Sequence, residues 1–308
     1  MARFVGIGDL VLDYYYKDNI LIGVNGGKTT SNIIFNLAYL GNNTALFGTC
    51  GNDTMGTICI DSLKQVGVDT ENIEIKNIDT RRLHINITKD GQTTKKRCPI
   101  CDTKNWYEVS EINIETIIKK LNPSDIIMID DLNEVIINLL SRIKNKIMLD
   151  LGYYRLFEKI SNQELIDSLN YSYEIINMNE RVEKYLIERL RLSNSLELYN
   201  LLKTKLLIIT KGKNGADFIY DDILYNKPLE VIANEIDPNG AGDMFFTSII
   251  NDYRGNDFSL NNDLLDIYFR NANNLTLKVV SNIGARTYEQ PLYKIKKLDT
   301  CSCISFTR

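Results

Sequence analysis

Apolar positions along the 308-residue chain follow two rhythms. Continuous runs such as Phe4 to Gly8, Thr44 to Cys50 and Lys205 to Thr210 read as strands covered on both faces. Stretches with helical spacing lie between them, beginning with Asn32 to Gly41 and Thr57 to Val66. From Ile112 the alternation is regular: a helix to Leu121, a strand Asp125 to Ile129, a helix Glu134 to Ile143 and a strand Lys146 to Asp150. A helix Glu164 to Leu169, a strand Glu174 to Asn177, helices over 180–203 and a last helix Asp263 to Val280 complete it. This order predicts an α/β fold, a doubly wound, mostly parallel sheet with helices on both faces.

One segment breaks the rhythm. Arg82 to Thr88 alternates with period two, turns at Lys89-Asp90-Gly91 and resumes from Gln92 to Arg97, which is a β-hairpin pattern. A hairpin among β-α units is a candidate lid over a cleft. Its His84, the single histidine of the chain, reads as a solvated or cross-strand structural residue, since there is no second histidine for a dyad or a metal pair. Tyr14 to Asn25 reads as a short, tyrosine-rich link. The expected organisation is one domain over 1–308, with lid segments at about 14–25 and 73–104 and a tail at about 290–308.

Composition narrows the partners. Charged residues are 25% of the chain and hydrophobic ones 44%, ordinary for a globular protein. A net charge of -4 gives no footprint for nucleic acid or an anionic membrane. The N-terminus lacks a signal-peptide pattern and no run reaches a membrane span, so a cytoplasmic protein is expected. Six cysteines are too sparse for a disulfide scaffold.

The candidate chemistry centres on Asp237-Pro238-Asn239-Gly240-Ala241-Gly242-Asp243, followed at once by the apolar run Met244 to Ile250. Proline and Asn-Gly make a turn, and the apolar run starts a helix whose N-terminal N–H groups suit a phosphate or a developing anion. Asp243 then stands where a carboxylate can take a proton from a hydroxyl. An ordinary turn with a capping residue is the plain alternative. Asp9 and Asp13 follow the first strand, where ligands of parallel sheets gather and a polyol can be gripped, or they cap the loop. Gly26-Gly27 lets a backbone approach a sugar ring; Lys28 after it lacks the spacing of a phosphate-binding P-loop. Asn177 and Glu180 at a helix start could hold Mg²⁺ through water, or act as a helix cap with an acidic first turn. Thr210 to Ala216 is a second glycine loop, or a plain hairpin turn, and Ala272 and Asn273 could border an adenine.

Taken together, these residues resemble the ribokinase-like, or PfkB, family of ATP-dependent carbohydrate and nucleoside kinases. The C-terminal signature D-[TP]-x-G-A-G-D is matched by Asp237 to Asp243, and G-x-D-x-x-G and G-V-D-T by Gly51, Asp53, Gly56 and Gly67 to Thr70. N-x-x-E is matched by Asn177 and Glu180, and T-x-G-x-x-G by Thr210, Gly212 and Gly215. The resemblance implies Asp243 as base with Gly240, Ala241 and Gly242 as anion hole. It implies ATP and Mg²⁺ at Asn177, Glu180, Thr210, Gly212, Gly215, Asp237 and Asn273, with Glu180 holding Mg²⁺ through water. A sugar-like substrate would lie at Asp9, Asp13, Gly26, Gly27 and Asn32. It also implies a homodimer through lid strands, and leaves open a monovalent cation and whether a nucleoside is the acceptor. A binding protein that has kept the fold without turnover is the competing class, against which the intact Gly240 to Asp243 element argues.

Two features depart from the family. Four residues instead of three separate Gly26-Gly27 from Asn32, which bears on the sugar-facing role of Asn32. Cys98, Cys101, Cys301 and Cys303 offer four thiolates that could close a Zn²⁺ site, or stand as free thiols.

Overall fold

The computed structural model describes residues 2–88, 93–97, 111–152, 157, 160–229, 235–286 and 291–295. These form strands β1 (Phe4–Ile7), β2 (Val11–Lys17), β3 (Ile20–Gly27), β4 (Thr44–Gly51), β5 (Ile73–Lys76), β6 (Arg81–Ile87) and β7 (Thr93–Arg97). Further strands are β8 (Ile126–Ile129), β9 (Lys146–Leu151), β10 (Tyr173–Asn179), β11 (Thr204–Thr210), β12 (Ala216–Tyr220) and β13 (Ile223–Lys227). The helices are α1 (Thr29–Tyr39), α2 (Thr54–Lys64), α3 (Glu111–Lys120), α4 (Glu134–Arg142), α5 (Asn162–Leu169), α6 (Glu180–Leu190), α7 (Ser195–Leu201), α8 (Ala241–Gly255) and α9 (Asn262–Val280).

Nine described strands make the main sheet, in the order β13-β12-β11-β10-β9-β8-β1-β4-β5, parallel from β11 to β5. Its inner strands, such as β8 and β11, carry buried apolar runs because both faces are covered, whereas the edge strands β5 and β13 are largely exposed. In β11, Leu206 and Ile208 enter the core on one face, with residues of α1, α2, α8 and α9. Leu207 and Ile209 enter the core on the other, with residues of α3 to α7. The chain winds outward from β1 through β4 to β5, then returns to β8 on the other side of β1. That reversal opens a crevice beyond the carboxyl ends of β1 and β8.

The segments expected to form the lid lie mostly in a second, four-stranded sheet, in the order β3-β2-β6-β7, called the lid below. The expected hairpin is β6 and β7. The segment read as a link, 14–25, is instead most of a second hairpin, β2 and β3, turning at Asp18 and Asn19, both with left-handed φ. The first four residues given to the lid at 73–104 form β5, which belongs to the main sheet. Thr210 to Ala216 turns β11 back into antiparallel β12 through a single 3₁₀ turn, Gly212–Asn214, as the hairpin alternative has it. His84 is a cross-strand residue, stacked on Tyr14 with ring centroids 5.0 Å apart and with Nδ1 2.9 Å from the Tyr16 hydroxyl.

Asp53, the acid of G-x-D-x-x-G, fastens the lid to the core. It caps α2 by accepting from Gly56 N at 2.8 Å, and accepts from Thr80 N at 2.9 Å and from Arg82 at 3.4 Å, where β6 begins. Replacing Asp53 with Ala removes the cap and leaves the buried Thr80 N–H without this acceptor. The expected loss is about 2 kcal/mol of stability, read as a lower urea midpoint at unchanged slope.

Candidate active site

Carboxylates and amides converge at the crevice. Asp130 follows β8, Asp150 lies near the end of β9, Asn177 near the end of β10, and Asp243 in the first turn of α8. The helix begins at Ala241, three residues before the apolar run, with Gly240 at its N-cap at φ 81°. A side chain there is blocked twice, since a Cβ on Gly240 would sit 2.5 Å from Ala285. Among the proposed anion-hole donors, Ala241 N–H already reaches Pro238 O at 3.2 Å. The first turn of a helix leaves further N–H groups, those of Gly242 and Asp243, without an acceptor one turn earlier. Beside Gly242 the space is open, with no atom within 4 Å of where a Cβ would be.

Asn32 is held between two charges. Its Nδ2 donates to Asp243 Oδ2 at 2.6 Å, and its Oδ1 accepts from Arg286 Nε at 2.8 Å. Lys28, the N-cap of α1, takes the left-handed φ of 77°, which fits either an extra residue in the turn before Asn32 or Lys28 standing in the place of the second glycine. Lys28 is held there by Asp130 at 3.0 Å and by Asp9 at 3.9 Å. Asp9 also accepts from Arg81 of the lid, so this carboxylate is engaged by two cations.

The paired glycines make room for protein groups. A Cβ on Gly26 would lie 2.4 Å from Arg286 Nη1, and one on Gly27 2.4 Å from the Asp13 carboxylate. Arg286, with no exposed surface, also donates to Ser62 at 3.0 Å and Ser31 at 2.5 Å. Asp13 accepts from the Tyr15 hydroxyl at 3.2 Å, and that oxygen accepts from Asn239 Nδ2 at 3.0 Å and Ala285 N at 3.2 Å. Lys95, reaching in from β7, donates to Asn239 Oδ1 at 2.7 Å. A chain of contacts therefore joins both lid hairpins to the turn before α8.

The remaining expected residues are placed as follows. Asp237 is fully buried, and its two oxygens accept from Asn239 N at 3.0 Å and Gly284 N at 2.9 Å, inside the turn. Asn179, not Asn177, caps α6. Asn177 is buried in β10, its Nδ2 donating to Asp150 at 2.7 Å and its Oδ1 without a partner. Glu180 opens α6, partly exposed and 3.7 Å from Lys184. Thr210 Oγ1 donates to Met178 O at 3.3 Å. A Cβ on Gly215 would strike Lys227 O at 2.0 Å, whereas one on Gly212 would meet nothing. On α9, Ala272 is in the core and Asn273 half-buried. Cys98, Cys101, Cys301 and Cys303 lie outside the described residues. Among the described residues, no group of three or more His, Cys, Asp or Glu side chains could hold a metal directly.

Lys95, Asn239, Tyr15, Arg286, Asp130 and Asp150 are not among the site residues expected from the sequence, where Asn239 counts only as part of the turn. The two aspartates carried a signal, since both end strands of a parallel sheet. Arg286 and Lys95 carried none.

Burial dominates the electrostatics. It raises the Asp243 carboxyl above the usual range, opposed by the Asn32 hydrogen bond and the Lys95 charge. It pushes Asp13 up to about 6, opposed by Lys95 and Arg286. Asp150 is pushed up to about 8 by burial and by Asp243, and Arg286 down to about 10 by burial.

A family model described as pfkB family carbohydrate kinase matches residues 24–287. No curated protein matches the chain. Similar solved structures include the nucleoside kinase of Methanocaldococcus jannaschii, with a TM-score of 0.72 and 19% identity over 95% of each chain. The fructokinase of Xylella fastidiosa with bound ATP gives 0.75 and 17% over 93% of this chain and 94% of that one. The ribokinase of Thermotoga maritima gives 0.71 and 16% over 94% and 96%. The sheet and its lid are therefore a ribokinase-like fold.

The acid–base behaviour is testable directly. In a carbon-13 NMR titration Asp13 is expected to ionise near pH 6. Because the Lys95 ammonium lowers both Asp13 and Asp243, Lys95→Met should move both ionisations to higher pH.

Proposed function

This chain belongs to the pfkB family of carbohydrate kinases, and we propose that it transfers the γ-phosphoryl group of ATP to a hydroxyl of a sugar or sugar derivative. The observation that carries the reading is Asp243 in the first turn of α8, one oxygen fixed by Asn32 at 2.6 Å, next to the open side of Gly242. The acceptor hydroxyl gives its proton to Asp243 as its oxygen attacks phosphorus. A carboxyl whose proton affinity burial has raised is suited to receive it. Backbone N–H groups of the first turn stabilise charge on the transferring group without having to reorient. Asp13, on the lid side, grips the acceptor.

ATP and Mg²⁺ fit the donor set. Asn177 Oδ1 is a buried acceptor without a partner, and Glu180 offers a carboxylate at the helix start. These are hard oxygen donors, too few to cage a cation, which suits Mg²⁺ held largely by phosphate and water. When bound, the ion neutralises charge on the phosphates. The lid, tied to the turn through Lys95 and Asn239, excludes water that would compete as acceptor.

Similar structures include sugar kinases and nucleoside kinases, so an ADP-release assay should span both classes of acceptor. Asp243→Asn is expected to lower kcat about a thousandfold while leaving ATP affinity nearly unchanged. Comparable turnover in the mutant would refute the base assignment, and a wild type that binds ATP but phosphorylates no acceptor would favour a binding protein.

A further inference from the structure

Two polar atoms of the lid are shut away from water and have no partner: Asp13 Oδ1 and Asn25 Nδ2, on residues that are 2% and 1% exposed. They are cross-strand neighbours, since Asp13 pairs with Asn25 in the β2–β3 ladder. Paired residues share a face. The face is fixed by what lies along it. Tyr15, two residues from Asp13, reaches Asn239 and Ala285 at the catalytic turn. Residues of the opposite parity point the other way, Tyr14 donating to Met55 on α2 and Val24 entering the core. Asn25 therefore faces the catalytic side. Its neighbours on that face of β3 are Gly23 and Gly27, so it is the one side chain presented there between them.

The orientation of the amide is also fixed. Asn25 Oδ1 accepts from Gly26 N at 2.8 Å, which leaves the NH₂ end as the free group. A buried acceptor and a buried donor thus stand side by side, both unsatisfied. Each is costly unless something completes it. Two adjacent oxygens of one molecule do so, one hydroxyl donating to Asp13 Oδ1 and the neighbouring oxygen accepting from Asn25 Nδ2.

We propose that Asn25 is a specificity-determining residue, which reads a second oxygen next to the hydroxyl gripped by Asp13 and so restricts the acceptor to molecules with vicinal oxygens. The inference rests on the kinase reading above. A deoxy analogue lacking that oxygen would leave the amide unpaired on binding, and a site built around a hydrogen bond rejects such an analogue far more strongly than one built on shape.

The test compares wild type with Asn25→Leu in an ADP-release assay, using D-ribose, D-fructose, inosine and the monodeoxy analogues of each. For an acceptor that wild type phosphorylates, the analogue lacking the second oxygen is expected to lose at least about tenfold in kcat/KM. In Asn25→Leu the parent should fall to the level of that analogue through acceptor KM, with KM for ATP unchanged. Asn25→Asp, which keeps the acceptor for Gly26 N–H but removes the donor, should collapse the same discrimination and serves if the leucine variant does not fold. Wild-type discrimination retained in the folded variants overturns the proposal, as it would for an asparagine satisfied by a trapped water. So does a wild type that treats parents and all their analogues alike. A wild type that phosphorylates none of the acceptors overturns the kinase reading and this inference together, and is recognised before any variant is compared.

Discussion

The buried guanidinium of Arg286 is the constraint to which the candidate active site is fitted. A cation this large without exposed surface is tolerable only where its donors are met. Asn32 and Ser31 from α1 and Ser62 from α2 meet them, with the ring of Phe35 below at 5.0 Å. The consequence extends in two directions. Gly26 can carry no side chain, because Arg286 occupies its place. Asn32 has its oxygen committed to the cation, so its NH₂ must point away, and Asp243 is what it meets.

The lid depends on the same frame. β2 and β3 pass from Arg286 and Asp13 outward, and β6 is anchored at its first residues by Asp53 and Asp9. Both anchors hold the base of the lid, while Lys95 bonds Asn239 from the outer strand β7. The sheet is thus fastened at its root and reaches the turn before α8 from two strands, through buried Tyr15 on β2 and exposed Lys95 on β7. Its exposed link is the one that motion would break first.

Much of this was legible in the sequence. The sheet was readable because residues such as Leu206 to Ile209 are buried on both faces and form unbroken apolar runs. Asp243 was readable because a turn, small residues and an apolar helix are contiguous in the chain. The β2–β3 hairpin was missed because Tyr14 and Tyr15 are both buried, which erases alternation. The glycine pair was recognised, but its physical reason was not: the groups that need the space, Asp13 and Arg286, come from positions far from each other in sequence. Lys95 and Arg286 belong to the site only through tertiary contact, and no local pattern marks either.

The electrostatics tie the lid to Asp243. Desolvation leads the causes that raise Asp243, with Lys95 acting against it. Opening the lid would admit water and withdraw Lys95, two effects of opposite sign. Burial leads these causes and the Lys95 charge ranks below the Asn32 hydrogen bond, so the raised proton affinity of Asp243 comes first from its buried place at the start of α8. Lys95 limits that rise and so favours the ionised carboxylate, the form that the proposed role of Asp243 as a base requires.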